Sequence, residues 1–163
     1  MAVTPPERRS PVPAYIALGA NLGDAVGAVR RAMTAIGRMP GTEVVARSSL
    51  YLTAPIDSSG PDYVNAVVAV STSLCAPALL AALQAIEQAA GRLRPYPNAP
   101  RTLDLDILLY GEAVVQSGRL TLPHPRMAAR AFVLLPLAEV APDRVCAQAL
   151  QDVSGQSVRR MGD

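Results

Sequence analysis

The sequence predicts an α+β domain on the ferredoxin-like plan: a mostly antiparallel sheet with helices packed around it, made from a split β-α-β unit used twice. Three observations lead there. Strand-like and helix-like periodicities follow the order strand, helix, strand, strand, helix, strand. The 163 residues amount to one domain, long enough to bury a core without disulfide staples. No internal repeat or linker divides them. The expected organisation is a flexible, proline-rich leader over residues 1–13 and a single domain over 14–163, with a core sufficient for a monomer.

Residues 14–18 read as a short buried strand closed by Gly19-Ala20-Asn21-Leu22-Gly23, whose glycines allow the positive φ of a sharp strand-to-helix turn. Such a turn could also cradle phosphate through its amides. It lacks the G-x-G-x-x-G spacing, so a structural turn is preferred. Asp24 caps a first helix, in which Val26, Val29, Met33 and Ile36 recur at helical spacing and which Gly37, Pro40 and Gly41 stop near Arg38. Residues 43–52 form a second strand and 63–72 a third, with Val64, Ala66, Val68 and Val70 alternating against Asn65 and Val67. The connection 53–62, rich in proline, glycine and serine, reads equally as an idle surface loop or as a binding segment.

Pro77 opens a second helix that runs to Gly91 with Leu79, Leu80, Leu83 and Ile86 inward. Glu87, on the border of that apolar face, either serves a site or pairs with Arg92. Three prolines over 94–100 disfavour helix and ladder alike, so a mobile loop is expected to lead into the last strand of the plan. Beyond Tyr110, a short hairpin over 113–122 turns at Ser117-Gly118. Residues 127–140 read as a helix bent at Pro136, and a short helix falls around 147–152.

Composition removes whole classes of chemistry. All 15 basic residues are arginine. A Walker-type phosphate loop and a Schiff base both need lysine, so neither is available, and any phosphate must be held by guanidinium, whose planar fork grips two oxygens at once. A net charge of +2 and only six aromatic residues argue against nucleic-acid binding. No apolar run reaches bilayer length and the first residues lack a signal-peptide core, so the expectation is no membrane partner and a cytoplasmic location. Cys75 and Cys146 are too few and too far apart for a disulfide framework or a zinc site.

The most informative run is residues 101–110. Strand alternation puts Asp104 and Asp106 on one face and Leu103, Leu105, Ile107 and Leu109 on the other, toward a core. Two carboxylates one strand step apart repel unless a cation lies between them. Arg92, Arg94 and Arg101 precede the pair and His124, Arg126 and Arg130 follow it. Acid for a metal bracketed by guanidinium for phosphate suggests magnesium-dependent chemistry on a nucleoside polyphosphate. A lone D-x-D would more often be a solvated strand face; the flanking clusters favour the site.

Three runs then carry a family resemblance: Gly-Arg-x-Arg at 91–94, Pro-Arg-Thr-Leu-Asp-Leu-Asp at 100–106 and Leu-Pro-His-Pro-Arg-Met at 122–127. Support comes from Gly-x-Asn-Leu-Gly at 19–23 and Asp-Tyr-x-Asn-Ala at 62–66. Over about residues 14–142 the chain resembles the 6-hydroxymethyl-7,8-dihydropterin pyrophosphokinases, which transfer pyrophosphate from ATP to a pterin alcohol and release AMP in folate synthesis. The resemblance implies ATP as co-substrate and two Mg2+ ions held by Asp104 and Asp106. It implies that Arg92, Arg94 and Arg101 clamp the phosphates, with Arg92 and Arg101 acting on the group in flight. His124 and Arg130 would also touch the triphosphate, while Arg119, Thr121 and Ile107 line the nucleotide cleft, joined by Glu87 if it serves the site. The pterin would lie between Tyr63 and Phe132, beside Asp104, with Asn65 on its amide edge and Thr53, Ala54 and Ile56 contributing through backbone and packing. Metals and arginines suffice for such a transfer without a protein nucleophile.

Departures from the family pattern fall in loops. The 94–101 segment lacks a tryptophan and extra basic residues and is a residue shorter, with Tyr96 or Asn98 as partial substitutes. Ala54, Asp57 and Pro125 replace the usual proline, glycine and tyrosine. These predict altered loop closure rather than a changed reaction. The rival readings are a metal-dependent nucleotide hydrolase or nucleotidyltransferase, and a ferredoxin-like regulatory or RNA-binding module.

Overall fold

Strand β1 (Val12–Ala20) is hydrogen-bonded on both sides and organises the sheet. In the computed structural model, which describes residues 9–54, 61–91 and 103–162, it is followed by α1 (Ala25–Gly37), β2 (Thr42–Arg47), β3 (Tyr51–Thr53), β4 (Tyr63–Thr72), α2 (Ala76–Ala90) and β5 (Asp104–Tyr110). β1 lies antiparallel between β4 and β5, and β4 pairs in turn with β2 and β3. Each β-α-β unit is therefore split by one strand: β4 lies between β1 and β2, and β1 between β4 and β5. This is the ferredoxin-like plan expected from the order of elements.

Period-two alternation divides the sheet into two chemically distinct faces. On one, Ile16 and Leu18 of β1, Val64, Val68 and Val70 of β4, and Leu105 and Ile107 of β5 pack under Val29 and Ile36 of α1 and Leu79 and Leu83 of α2. Asp24 starts α1 by accepting the Gly27 N–H at 3.0 Å, and Gly23, at φ +59°, supplies the turn before it. Pro77 sits in the first turn of α2, where its missing N–H costs nothing. The opposite face is covered by α3 (Ala131–Val140), whose Val133 and Leu137 pack on Val67, Leu108 and Leu109. Among the described residues, no helix is long and apolar enough to cross a membrane.

Local departures from the sequence reading each have a physical cause. The sheet begins at Val12, and Pro13 is tolerated there because its carbonyl, which points the way its N–H would, meets only Gly111 beyond the end of β5. The expected strand 43–52 is broken into β2 and β3, because the Ser48 hydroxyl accepts the Val67 N–H at 2.9 Å in place of a ladder carbonyl. Leu109 faces α3 rather than the α1–α2 core: the register shifts opposite Tyr15 and Ile16, a bulge that leaves Leu108 and Leu109 on the same side. The helix expected over 127–140 is interrupted at Arg130, which is extended at φ −126° and ψ 114° between a 3-10 turn (Met127–Ala129) and α3. Pro136 lies within α3. The hairpin is shorter than expected, β6 (Val115–Gln116) with β7 (Thr121–Leu122). After α4 (Ala147–Asp152), a strand absent from the sequence reading, β8 (Arg159–Arg160), pairs with β3. The leader expected over 1–13 lies mostly outside the described residues.

A charged knot joins these parts. Glu139 of α3 accepts the Ser49 N–H and the Tyr51 hydroxyl, each at 2.7 Å, and Arg160 of β8 lies 3.8 Å from the same carboxylate. Burial pushes the Glu139 carboxyl up, but the bonds from Ser49 and Tyr51 and the Arg160 charge outweigh it and hold it below its ordinary 4.5. Burial, and then the bond to Glu139, push the Tyr51 hydroxyl up to about 12. A depressed carboxylate contributes stability that is fully present above its unfolded-state pKa and is lost as pH falls through the folded value. Glu139→Gln is therefore expected to lower stability by about 1 kcal/mol at pH 7. Urea denaturation should show the gap between variant and parent closing once the pH drops below 4.5.

Candidate active site

The sheet face under α3 is only partly covered, and the uncovered end holds a cavity of about 280 Å³. Its floor follows from register. Asn65 of β4 and Asp104 of β5 both pair with Gly19 of β1, and Asp106 pairs with Ala17, so two small residues lie between the amide and the carboxylates. Gly19 belongs to β1 rather than to the turn expected from sequence. A Cβ there would come within 3.2 Å of the Asn65 Oδ1, so the missing side chain is what leaves the floor open. Asp104 and Asp106 are exposed on the cavity side of β5 while Leu103, Leu105 and Ile107 are buried beneath it. The alternation read from sequence holds over this stretch.

One wall is an oriented amide. Asn65 and Thr53 are both buried, and the Asn65 Nδ2 donates to the Thr53 Oγ1 at 3.0 Å, which leaves Oδ1 over Gly19 as an acceptor. Tyr63 and Ala54 continue this wall. Phe132, at the start of α3, forms the other with Met127, and the Arg130 guanidinium lies 5.4 Å from the Phe132 ring centre in a cation–π contact. The rim carries His124, Arg126 and Arg130. The His124 backbone N–H donates to the Leu108 carbonyl on the outer edge of β5, and its Nδ1 accepts the Arg126 N–H at 3.2 Å. The neutral ring thus carries its proton on Nε2. Burial lowers the His124 pKa; the Asp106 charge opposes this and Arg130 and Arg126 reinforce it, so the neutral form is favoured.

Most of the residues expected from sequence converge here. Thr53, Ala54, Tyr63, Asn65, Asp104, Asp106, His124, Arg130 and Phe132 all line the one cavity. The nucleotide set is more dispersed. The Ile107 side chain is 3% exposed in the α1–α2 core, so it does not line a cleft with its side chain. Arg119 is exposed at the tip of the hairpin and Thr121 is half-buried in β7. Glu87 is turned to β5, where its Oε2 accepts the Leu105 N–H at 2.9 Å and covers a donor on the sheet edge. Arg92, Arg94, Arg101 and Ile56, with the loop departures Asp57, Tyr96 and Asn98, lie outside the described residues. Arg126, grouped from sequence with His124 and Arg130, joins them at the rim. Sequence reasoning missed Gly19 as the cavity floor and Met127 and Val133 as lining, and the one signal for any of these was the place of Met127 in the 122–127 run.

Among the described residues, no group of three or more His, Cys, Asp or Glu side chains is arranged to hold a metal. The hard-oxygen pair Asp104 and Asp106 suits Mg2+ all the same, because that ion is usually held by one or two carboxylates, with water and substrate phosphates completing its octahedron. A second cavity, between α1 and α2, includes Gly23, Asp24 and Leu103 but, among the described residues, none of those expected in the site. The Asp24 carboxylate occupies the start of α1, which favours the structural reading of that turn.

Paired carboxylates beside an aromatic and amide pocket, on an antiparallel sheet of this topology, define an α+β protein with a site suited to a flat heterocycle next to acidic groups. Residues 15–142 match the model of the 7,8-dihydro-6-hydroxymethylpterin-pyrophosphokinase (HPPK) family, and the chain belongs to that family. It is 49% identical over 130 residues to the 2-amino-4-hydroxy-6-hydroxymethyldihydropteridine pyrophosphokinase of Pseudomonas aeruginosa, covering 79% of this chain and 80% of that one. Identity to the Haemophilus influenzae protein of the same name is 47% over 135 residues, covering 82% and 84%. Among solved structures, the wild-type Plasmodium falciparum HPPK-DHPS with STZ-DHP has the same fold, with a TM-score of 0.66 at 16% identity. The match takes in 90% of this chain and 42% of that longer one.

Thr53→Val keeps the side-chain shape but removes the acceptor for a buried amide. It is expected to cost about 1–3 kcal/mol, read as a lower urea midpoint with an unchanged slope.

Proposed function

We propose that the chain transfers pyrophosphate from ATP to 6-hydroxymethyl-7,8-dihydropterin, in the cytoplasm and as a monomer, with the cavity beside Asp104 and Asp106 as the pterin pocket. The observation that carries this reading is the convergence of both aspartates, the oriented Asn65 amide and the Tyr63 and Phe132 rings on one small cavity. A flat heterocycle with donors along one edge fits between two rings and an amide acceptor, while a plain alcohol would leave that amide unpaired. The hydroxymethyl group then points to the aspartates.

In the reaction the pterin hydroxyl oxygen attacks the β-phosphorus of ATP. The bond from that phosphorus to the bridging oxygen breaks, its electron pair stays on AMP, and the hydroxyl proton leaves to water. Asp104 and Asp106 would hold two Mg2+ ions, which supply charge neutralisation at the phosphates and a lowered pKa for the attacking hydroxyl. The chain's own groups orient the reactants. Arg126 and Arg130 offer guanidinium at the rim, and His124, neutral with its proton on Nε2, donates to a phosphate oxygen without adding charge. Arg92, Arg94 and Arg101 complete the clamp by the family resemblance, with Arg119, Thr121, Glu87 and the Ile107 backbone toward the nucleotide. Both proline-rich connections, with their departures at Ala54, Asp57 and the shortened 94–101 run, are the segments whose closure would set turnover.

The test is AMP release from ATP and Mg2+ with and without the pterin alcohol. Pterin-dependent AMP is expected, with kcat lower by roughly 100- to 1000-fold in Asp104→Ala and Asp106→Ala, the scale of losing one major electrostatic contact. AMP or ADP formed without pterin would point to a hydrolase instead, and nucleotide binding without turnover to a regulatory module.

A further inference from the structure

The stretch beyond the family-matched residues ties the two walls of the cavity together. Val153, which follows α4, is 4% exposed and packs on Ala131 and Leu134 of α3, with Leu150 and Val158 around it. From there the Gln156 side chain reaches back to the start of α3. Its Oε1 accepts the Ala131 N–H at 2.9 Å and its Nε2 donates to the Ala129 carbonyl at 2.8 Å. Arg130 lies between those two residues and Phe132 directly after them. Arg130, the N-cap, makes no side-chain capping bond, so Gln156 satisfies one of the orphan amides of the first turn from 25 residues away. The chain then forms β8 against Tyr51 and Leu52, and the Met161 N–H donates to the Leu50 carbonyl at 2.8 Å, next to the strand that ends at Thr53.

We propose that Gln156, though outside the cavity, is a positioning residue for the wall formed by Arg130 and Phe132, holding the break before α3 at the angle that sets the ring against the bound heterocycle. Local bonds fix part of the break: the Arg130 N–H donates to the Met127 carbonyl at 3.4 Å, and the Arg130 carbonyl accepts the Val133 and Leu134 N–H groups, but no local side chain caps the start of α3. The Gln156 amide, bonded on both sides of Arg130, braces the 3-10 turn against the start of α3. The proposal rests on the reading of the cavity as the pterin pocket.

The chain has one phenylalanine, so 4-fluorophenylalanine incorporated into the full-length protein reports on Phe132 alone. Wild type, Gln156→Ala, Gln156→Glu and the exposed neighbour Ser157→Ala are compared by 19F NMR, steady-state kinetics and melting. In Gln156→Ala the resonance of the free protein is expected to shift or broaden. KM for the pterin alcohol should rise about tenfold, with kcat changed less than about twofold and the melting midpoint lower by no more than about 4 °C. Gln156→Glu keeps the acceptor for Ala131 and loses the donor to Ala129, so it should fall between, and it carries the comparison if the alanine variant does not fold. Ser157→Ala should match wild type. An unchanged resonance, or a changed one with unchanged KM, overturns the proposal. Failure of the pterin alcohol to move the wild-type resonance would instead overturn the placement of pterin against Phe132, while the free-protein spectrum of Gln156→Ala still decides whether Gln156 orders that wall.

Discussion

The pairing of β1 with β4 and β5 in one particular register is the constraint from which the rest of the molecule follows. Gly19 lies between Asn65 and Asp104, and Ala17 between Val67 and Asp106. A slip of one residue in either pair would turn Ile16, Leu18, Leu105 or Ile107 out of the core and put carboxylates under α1 and α2. Burial of an unpaired carboxylate costs far more than any single ladder bond returns, so the apolar face holds the register and the register holds the site. The aspartates are aimed by the leucines behind them.

The cavity exists because the second face is covered unevenly. α3 packs its Val133 and Leu137 over Val67, Leu108 and Leu109, at the end of the sheet where β5 bulges and supplies two apolar side chains instead of one. Toward the cavity the sheet offers Gly19, which has no side chain, and the small Ala17, and the chain breaks at Arg130 before α3 begins. That break puts a guanidinium and an aromatic ring side by side at the rim, with the cation over the ring. The Glu139 knot anchors the far half of α3 to β3 and β8, so the helix is pinned at the end away from the cavity as well as at its start.

Charge is distributed to match this shape. Carboxylates lie on the sheet, arginines on the segment opposite, and between them His124 is kept neutral by burial and by the neighbouring guanidinium groups despite Asp106. The division into a charged rim and an amide-and-aromatic interior offers one kind of chemistry to charged groups and another to an uncharged heterocycle, within a single domain.

What the sequence determined by itself was local. The aspartate pair, its apolar partners, the cap at Asp24, the proline opening of α2 and the strand-helix order all follow from periodicities and side-chain chemistry within a few residues. The cavity residues Thr53, Tyr63, Asn65 and Phe132 came only through the family resemblance, since none of them announces a site by its own spacing. Tertiary structure alone decided the break of the second strand at Ser48, the bulge that turns Leu109 over, the interruption at Arg130, the role of Gly19 as floor, the turning of Glu87 to β5 and the return of Arg159 and Arg160 as a strand. Each of these depends on a hydrogen-bond or packing partner far away in sequence: Val67 for Ser48, β1 for the bulge, Gln156 for the start of α3, Asn65 for Gly19, Leu105 for Glu87 and β3 for the last strand. Backbone groups must find partners wherever the fold brings them, and a linear reading sees only the partners that are near.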